Sequence, residues 1–133
     1  MSETSDKKAA REWRAIHRFA RVSQEKSLFV ASLVRGLPVN RALDVLRLNP
    51  RRASFLIRKV LASAVANAAQ DESGVNVNQL FVKKIWVDHA GLLQKRHRWR
   101  PGPMGRAMPI RRRMAHINVV VAAQAEKSEG REE

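Results

Sequence analysis

The sequence predicts an α+β fold: three helices packed on a small antiparallel sheet, with a long extended β-hairpin. Three observations point there. Apolar residues at helical spacing, punctuated by Gly and Pro breaks, fill much of the first 70 residues. Two strand-like runs follow, Leu80–Asp88 and Arg113–Ala123. Between them lies KRHRWRPGPMGRAMPIRRR, residues 95–113, with eight Lys or Arg, three prolines and no acid. That segment can neither continue a helix nor build a core. The simplest geometry makes the two strands the anchored arms of a hairpin and lets the basic part project beyond the sheet.

Taken in order, residues 12–22, EWRAIHRFARV, fit two elements. Trp13, Ile16 and Phe19 make a helical stripe on one reading; alternation from Ile16 to Val22 makes a strand on the other. Ser23 is placed to cap a helix over SQEKSLFVASLVRG, with Phe29, Val30, Leu33 and Val34 as its apolar face. Gly36 fits the left-handed position after a helix end, and Pro38 prevents continuation. NRALDVLRL predicts a short second helix with Asn40 as cap and Ala42, Leu43 and Leu46 on one face. Asn49-Pro50 is the cleanest start signal in the chain, a cap followed by Pro at the first helical position. Beyond it Ala53, Leu56, Ile57, Val60, Leu61, Ala64, Val65 and Ala68 hold helical rhythm, and the alanines let another layer approach closely. Arg51, Arg52, Arg58 and Lys59 fall off this stripe and read equally as a solvated face or as contacts to a polyanion. DESGVN ends the helix in a turn. In LFVKKIWVD the two lysines interrupt alternation, which predicts a bulge or twist, and Trp86 is expected in the core. In the last strand Ile117, Val119 and Val121 share one face, and His116, Asn118 and Val120 the other. Arms of about a dozen residues at ~3.3 Å each give the hairpin a reach of roughly 40 Å.

Charge narrows the function. The chain has 133 residues, one domain by length, with 26 Lys and Arg against 12 acids and a formal charge of +14. Like charges repel in the compact state, so the natural compensation is a polyanion partner. From His89 to Ala125 there is no Asp or Glu at all. A single RNA-binding domain is expected over residues 12–123, with the extended hairpin at 89–112. Residues 1–11 and the acidic 124–133 are expected to be solvated, disordered tails. The opening MSETSDKKAA is polar and acid-bearing, so no secretory signal is expected. No apolar run nears the ~20 residues that span a bilayer, and no helix sets a basic face against a bulky apolar one, so no membrane partner is expected. Without cysteine there is no disulfide framework and no thiolate metal site. His89, His97 and His116 have no carboxylate placed by spacing to orient them, and neither a nucleophile elbow nor metal-ligand spacing occurs. Neither catalysis, a metal, a cofactor nor a small-molecule substrate is expected. A crevice in folded RNA suits the basic hairpin: Arg forks match phosphates, Trp99 can stack, and glycines allow close approach.

Several blocks also carry a family resemblance. They are R-x-S-x-x-K at Arg21, Ser23 and Lys26, leading to L-V-R-G at Leu33–Gly36; ALDVL at Ala42–Leu46; KVLASAVANA at Lys59–Ala68; I-x-V-D at Ile85–Asp88; and Gly105-Arg106-Ala107 followed by His116-Ile117-x-Val119-Val120-Val121. Any one is weak, but their order and spacing together are specific. From roughly Ala15 to Val121 the chain resembles the ribosomal large-subunit protein twenty-two family. The resemblance implies a structural constituent of the large subunit in the cytoplasm. It implies partners in large-subunit ribosomal RNA, neighbouring large-subunit proteins and the nascent peptide, with the hairpin tip forming part of the exit-tunnel wall. Charge and resemblance together nominate Arg18, Arg21, Lys26, Arg35, Lys83, Lys84, Lys95, Arg96, Arg98, Arg106, Arg111, Arg112, Arg113 and His116 as RNA contacts. Trp99, Arg100, Pro101, Gly102, Pro103, Met104 and Gly105 are nominated as the tunnel-facing tip. Two other readings compete: a general basic nucleic-acid binder of chromatin type, and a histidine nuclease. Neither needs a projection of roughly 40 Å.

Overall fold

The structure, a computed structural model, describes residues 11–71 and 74–123. Apart from Arg11, the two expected tails lie outside these residues. The chain runs through β1 (Glu12–Ala20), α1 (Gln24–Val34), α2 (Val39–Leu48), α3 (Arg52–Ala69), β2 (Leu80–Leu92), β3 (Arg98–Pro101), β4 (Ala107–Ile110) and β5 (Arg113–Ala123). The architecture is the α+β arrangement expected. β1, β5 and β2 form an antiparallel sheet with β5 in the middle. The helices cover one face of it. β3 and β4 pair with each other in a separate ladder.

The central strand decides the first ambiguity. A buried strand needs hydrogen-bonding partners on both sides. β2 serves one side of β5, and residues 12–20 serve the other as β1. Trp13 and Ala15 then pack toward α3, where the Trp13 Nε1–H donates to Asp71 at 3.0 Å. In β5 the helix-facing Ala115, Ile117, Val119 and Val121 are fully buried. Asn118, Val120 and Ala122, on the opposite face, are buried too. Long side chains cover them. The Arg14 guanidinium donates to Asn118 Oδ1 at 3.1 Å and lies 5.5 Å from the Trp86 ring. Asn118 Nδ2 donates in turn to Asp88 at 3.2 Å. A 4 % exposed amide is thereby satisfied at both ends.

Trp86 sits on this face because of the bulge that the paired lysines predict. The β2–β5 register shifts between Val82 and Lys84, so Val82, Ile85 and Val87 face the core and Trp86 turns away from it. The outer edge of β2 is closed by the segment leading into α1 and the one leaving it. Val82 exchanges hydrogen bonds with Gly36 and Leu37, the Val87 carbonyl accepts from Gln24, and the Ile85 carbonyl accepts from Arg35. Closing an edge removes its capacity to pair with another chain.

The helix boundaries are set by their caps. Ser23 is extended and its Oγ accepts from the Lys26 N–H. Gly36 takes φ 78°, as the helix end requires. Three details differ from expectation. The buried face of α1 is Ser27, Val30, Ala31 and Val34, while Phe29 and Leu33 point outward. Asn40 lies inside α2, which starts at Val39 after Pro38, and its side chain reaches Asn78 instead. Asn49 ends α2 and accepts from the Arg51 N–H at 3.1 Å, so its side chain turns the chain into α3 rather than capping it directly. The α3 stripe is as expected: Ala53, Ile57, Val60, Leu61, Ala64 and Ala68 are buried, with Leu56 and Val65 packed beside them.

Burial separates two leucines that composition cannot. Leu61→Ala should cost ~2–5 kcal/mol through the cavity it leaves beneath the sheet. Leu48, at the end of α2, is 83 % exposed, and Leu48→Ala should change stability by under ~0.5 kcal/mol. Urea denaturation of both variants checks the contrast.

Candidate nucleic-acid interface

The hairpin is built in two stages. β2 and β5 pair out to Leu92 and Arg113. There the ladder breaks: Gly91, Gln94 and Lys95 take positive φ, and a backbone bond from the Leu93 N–H to the Arg112 carbonyl, 2.7 Å, spans the gap. Pairing resumes as β3 and β4, with Trp99 opposite Pro109 and Arg100 opposite Met108. The extended hairpin expected from sequence is thus built as two ladders joined at a neck. At the end, Gly102 N–H donates to the Arg106 carbonyl at 2.7 Å and Arg106 N–H to the Pro103 carbonyl at 3.3 Å. Met104 and Gly105 complete the turn with φ 55° and 69°. Trp99 is exposed, and Met104 is 98 % exposed.

At the foot of the hairpin lies a crevice of about 950 Å³. Eight cations line it: Arg21 from the end of β1, Lys26 from α1, Arg51 and Arg52 from the start of α3, and Arg98, Arg111, Arg112 and Arg113 from the hairpin. The rest of the lining is Val22, Ser23, Ala53, Leu93 and Met114, with no carboxylate. Both α1 and α3 begin here, so two helix N-termini add partial positive charge and free N–H groups. These features favour an anion, and the only acid in either first turn, Glu25 of α1, lies outside the lining.

Arg51 and Arg52, left open in the sequence reading, belong to this cluster. A signal for them existed. A cation at a helix N-terminus opposes the macrodipole by ~0.3–1 kcal/mol, so arginines at the start of α3 break a local rule. Such violations mark places where something outside the chain compensates.

The remaining nominated residues are distributed differently. Arg18 lies 5.9 Å from the Phe19 ring on the exposed side of β1. Arg35 is tied to β2 through the Ile85 carbonyl. Lys83 forms an ion pair with Glu12 across the sheet, and that hydrogen bond holds the Glu12 carboxyl below the usual carboxylate range. Lys84 is exposed beside the bulge. His116 Nδ1 accepts the Phe19 N–H at 3.0 Å, and its ring meets Phe19 edge-on at 4.7 Å. That contact fixes the bulge in β1, where Phe19 takes φ 55°. Lys95 and Arg96 are exposed at the neck, and Arg106 is exposed at the tip. Arg111 Nε donates to His97 Nε2 at 3.4 Å. Among the described residues no group of acids and histidines is arranged to hold a metal ion, and no helix is long and apolar enough to cross a membrane.

The sequence model of the family described as ribosomal protein L22p/L17e matches residues 15–122. The large ribosomal subunit protein uL22 of Syntrophobacter fumaroxidans is 45% identical over 111 residues, which cover 84% of this chain and 97% of that protein.

At one position of the tip a side chain would be crowded. A Cβ on Gly102 would lie 2.9 Å from Met108 Cγ and 3.0 Å from the Arg106 carbonyl oxygen, part of the backbone that closes the turn. Gly102→Ala should therefore shift the amide resonances of residues 100–108 while leaving those of α3 and the thermal midpoint unchanged.

Proposed function

The chain belongs to the ribosomal protein L22p/L17e family, and from that premise we propose that this constituent of the large ribosomal subunit binds large-subunit ribosomal RNA through the crevice at the hairpin foot and extends its tip to the wall of the nascent-peptide exit tunnel. Residues 12–123, hairpin included, act as one RNA-binding domain in the cytoplasmic ribosome. One observation carries the reading: eight cations and two helix N-termini converge on an acid-free cavity. Neighbouring phosphates neutralise that charge and release their counterions, which supplies most of the affinity. Arginine forks on both walls, Arg52 from the domain and Arg112 from the hairpin, grip phosphates in pairs and so set the angle at which the hairpin leaves the body. The role is structural: positioning of RNA and of a tunnel-wall element, with neighbouring large-subunit proteins and the nascent peptide as further partners.

Affinity for large-subunit RNA should fall linearly with salt on a log–log plot. The triple variant R111A/R112A/R113A should flatten that slope by about three phosphate contacts, since each contributes roughly 0.9 to it. Filter binding across a salt series reads the slope directly. An unchanged slope in the triple variant would show that these arginines leave phosphates untouched.

Foot and tip should separate in cells. Deleting Gly102-Pro103-Met104 spares the strands and the crevice, so subunit incorporation should persist while sensitivity to tunnel-binding macrolides changes. Arg111→Glu with Arg112→Glu places acids against phosphates and should impair assembly first. Subunit profiles and macrolide sensitivity, compared in one strain, distinguish the two. Equal assembly defects would make the tip an RNA anchor instead of a tunnel element.

A further inference from the structure

Beside the crevice, the helical layer leaves two phenylalanines uncovered. Phe29 on α1 is 59 % exposed and Phe55 on α3 is 49 % exposed, although neighbouring Val30 and Ile57 are fully buried. Each ring carries cations. The Arg51 guanidinium lies 4.6 Å from the Phe29 centroid. Lys59 Nζ lies 4.6 Å and the Arg58 guanidinium 5.6 Å from the Phe55 centroid. Phe55 and Lys59 are four apart on α3, and Arg51 at its N-cap, its guanidinium over Phe29, joins them to α1 in one ridge. That ridge starts inside the crevice, because Arg51 also lines it. The α3 sequence, RASFLIRKVLASAVANAA, contains no acid.

We propose that this ridge binds unpaired RNA nucleotides leaving the crevice, their bases stacked on Phe55 and Phe29 and their phosphates held by Arg51, Arg58 and Lys59. The proposal deepens the RNA-binding reading and rests on it. An exposed cation–π pair contributes only ~0.5–1 kcal/mol, too little to select for two bare aromatic rings. A ring with a cation at its face supplies both halves of a nucleotide site: a π surface for the base and a charge for the phosphate. An apolar protein partner would bury Arg51, Arg58 and Lys59 without counter-charges, which is costly. A single strand of RNA brings aromatic face and anion together.

The test uses the full chain and large-subunit ribosomal RNA, with affinities measured across a salt series. Stacking is largely independent of ionic strength. F55L keeps an apolar side chain but offers no π face, and should bind about ten-fold more weakly at every salt concentration with the log–log slope unchanged. F55Y should restore binding, and the thermal midpoint should match wild type in both. F29L should behave like F55L. Wild-type affinity in F55L and F29L, with the steep wild-type slope intact, overturns stacking while leaving the crevice reading in place. Equal losses in F55L and F55Y would mark a structural role and overturn it as well. Normal RNA affinity with lost subunit incorporation would assign the ridge to a protein neighbour. Shallow or absent salt dependence in the wild type would sink the crevice reading itself, and the ridge proposal with it.

Discussion

Everything in this molecule is hung on β5. It is the middle strand of the sheet, its helix-facing side chains are fully buried, and its backbone is paired on both sides. A central strand of that kind tolerates no slip, because moving the register by one residue would turn Ile117, Val119 and Val121 away from the helices. That rigidity is what allows β5 to continue outward as one arm of the hairpin. The arm needs no core of its own near the domain, since its root is held by β1, β2 and α3.

Against this closely packed core stands a surface of unbalanced charge. The crevice gathers like charges from β1, α1, α3 and the hairpin and adds two helix N-termini to them. Alone, the folded chain is opposed by that repulsion. On the proposed reading, phosphates neutralise the same groups, which then become the source of binding. Keeping these cations close together takes up part of the folding free energy. The polar Arg14–Asn118–Asp88 chain solves a smaller version of the same problem on the open sheet face, by internal hydrogen bonds.

The two-stage hairpin divides labour along its length. Its foot, held by β2 and β5, presents arginines to the crevice. Its outer ladder is short, exposed and closed by a turn in which a Cβ at Gly102 would crowd Met108 and the Arg106 carbonyl. The neck at residues 93–97, where Gln94 and Lys95 take positive φ, separates the outer ladder from the main sheet. Shape at the tip and charge at the foot can accordingly be altered separately.

Much of this was legible in the residues themselves. Periodicity marked three helices, the bounds of β5 were read from its apolar alternation, and Lys83-Lys84 announced a bulge. The Arg-rich, proline-broken run between two strands announced the hairpin, and the ordered blocks from Arg21 to Val121 announced the family. Tertiary structure alone decided the rest. Periodicity names an apolar stripe without fixing which part of it meets the core, so Phe29 and Leu33 turned outward when Ser27 and Ala31 allowed closer packing. Strand parity past a bulge depends on where the extra residue falls, and that carried Trp86 to the open face. Arg21, Lys26 and Arg52 lie far from Arg112 in the chain. Only the packing of α1 and α3 against the root of β5 brings their charges into one cavity, because electrostatic fields add through space and not along a sequence.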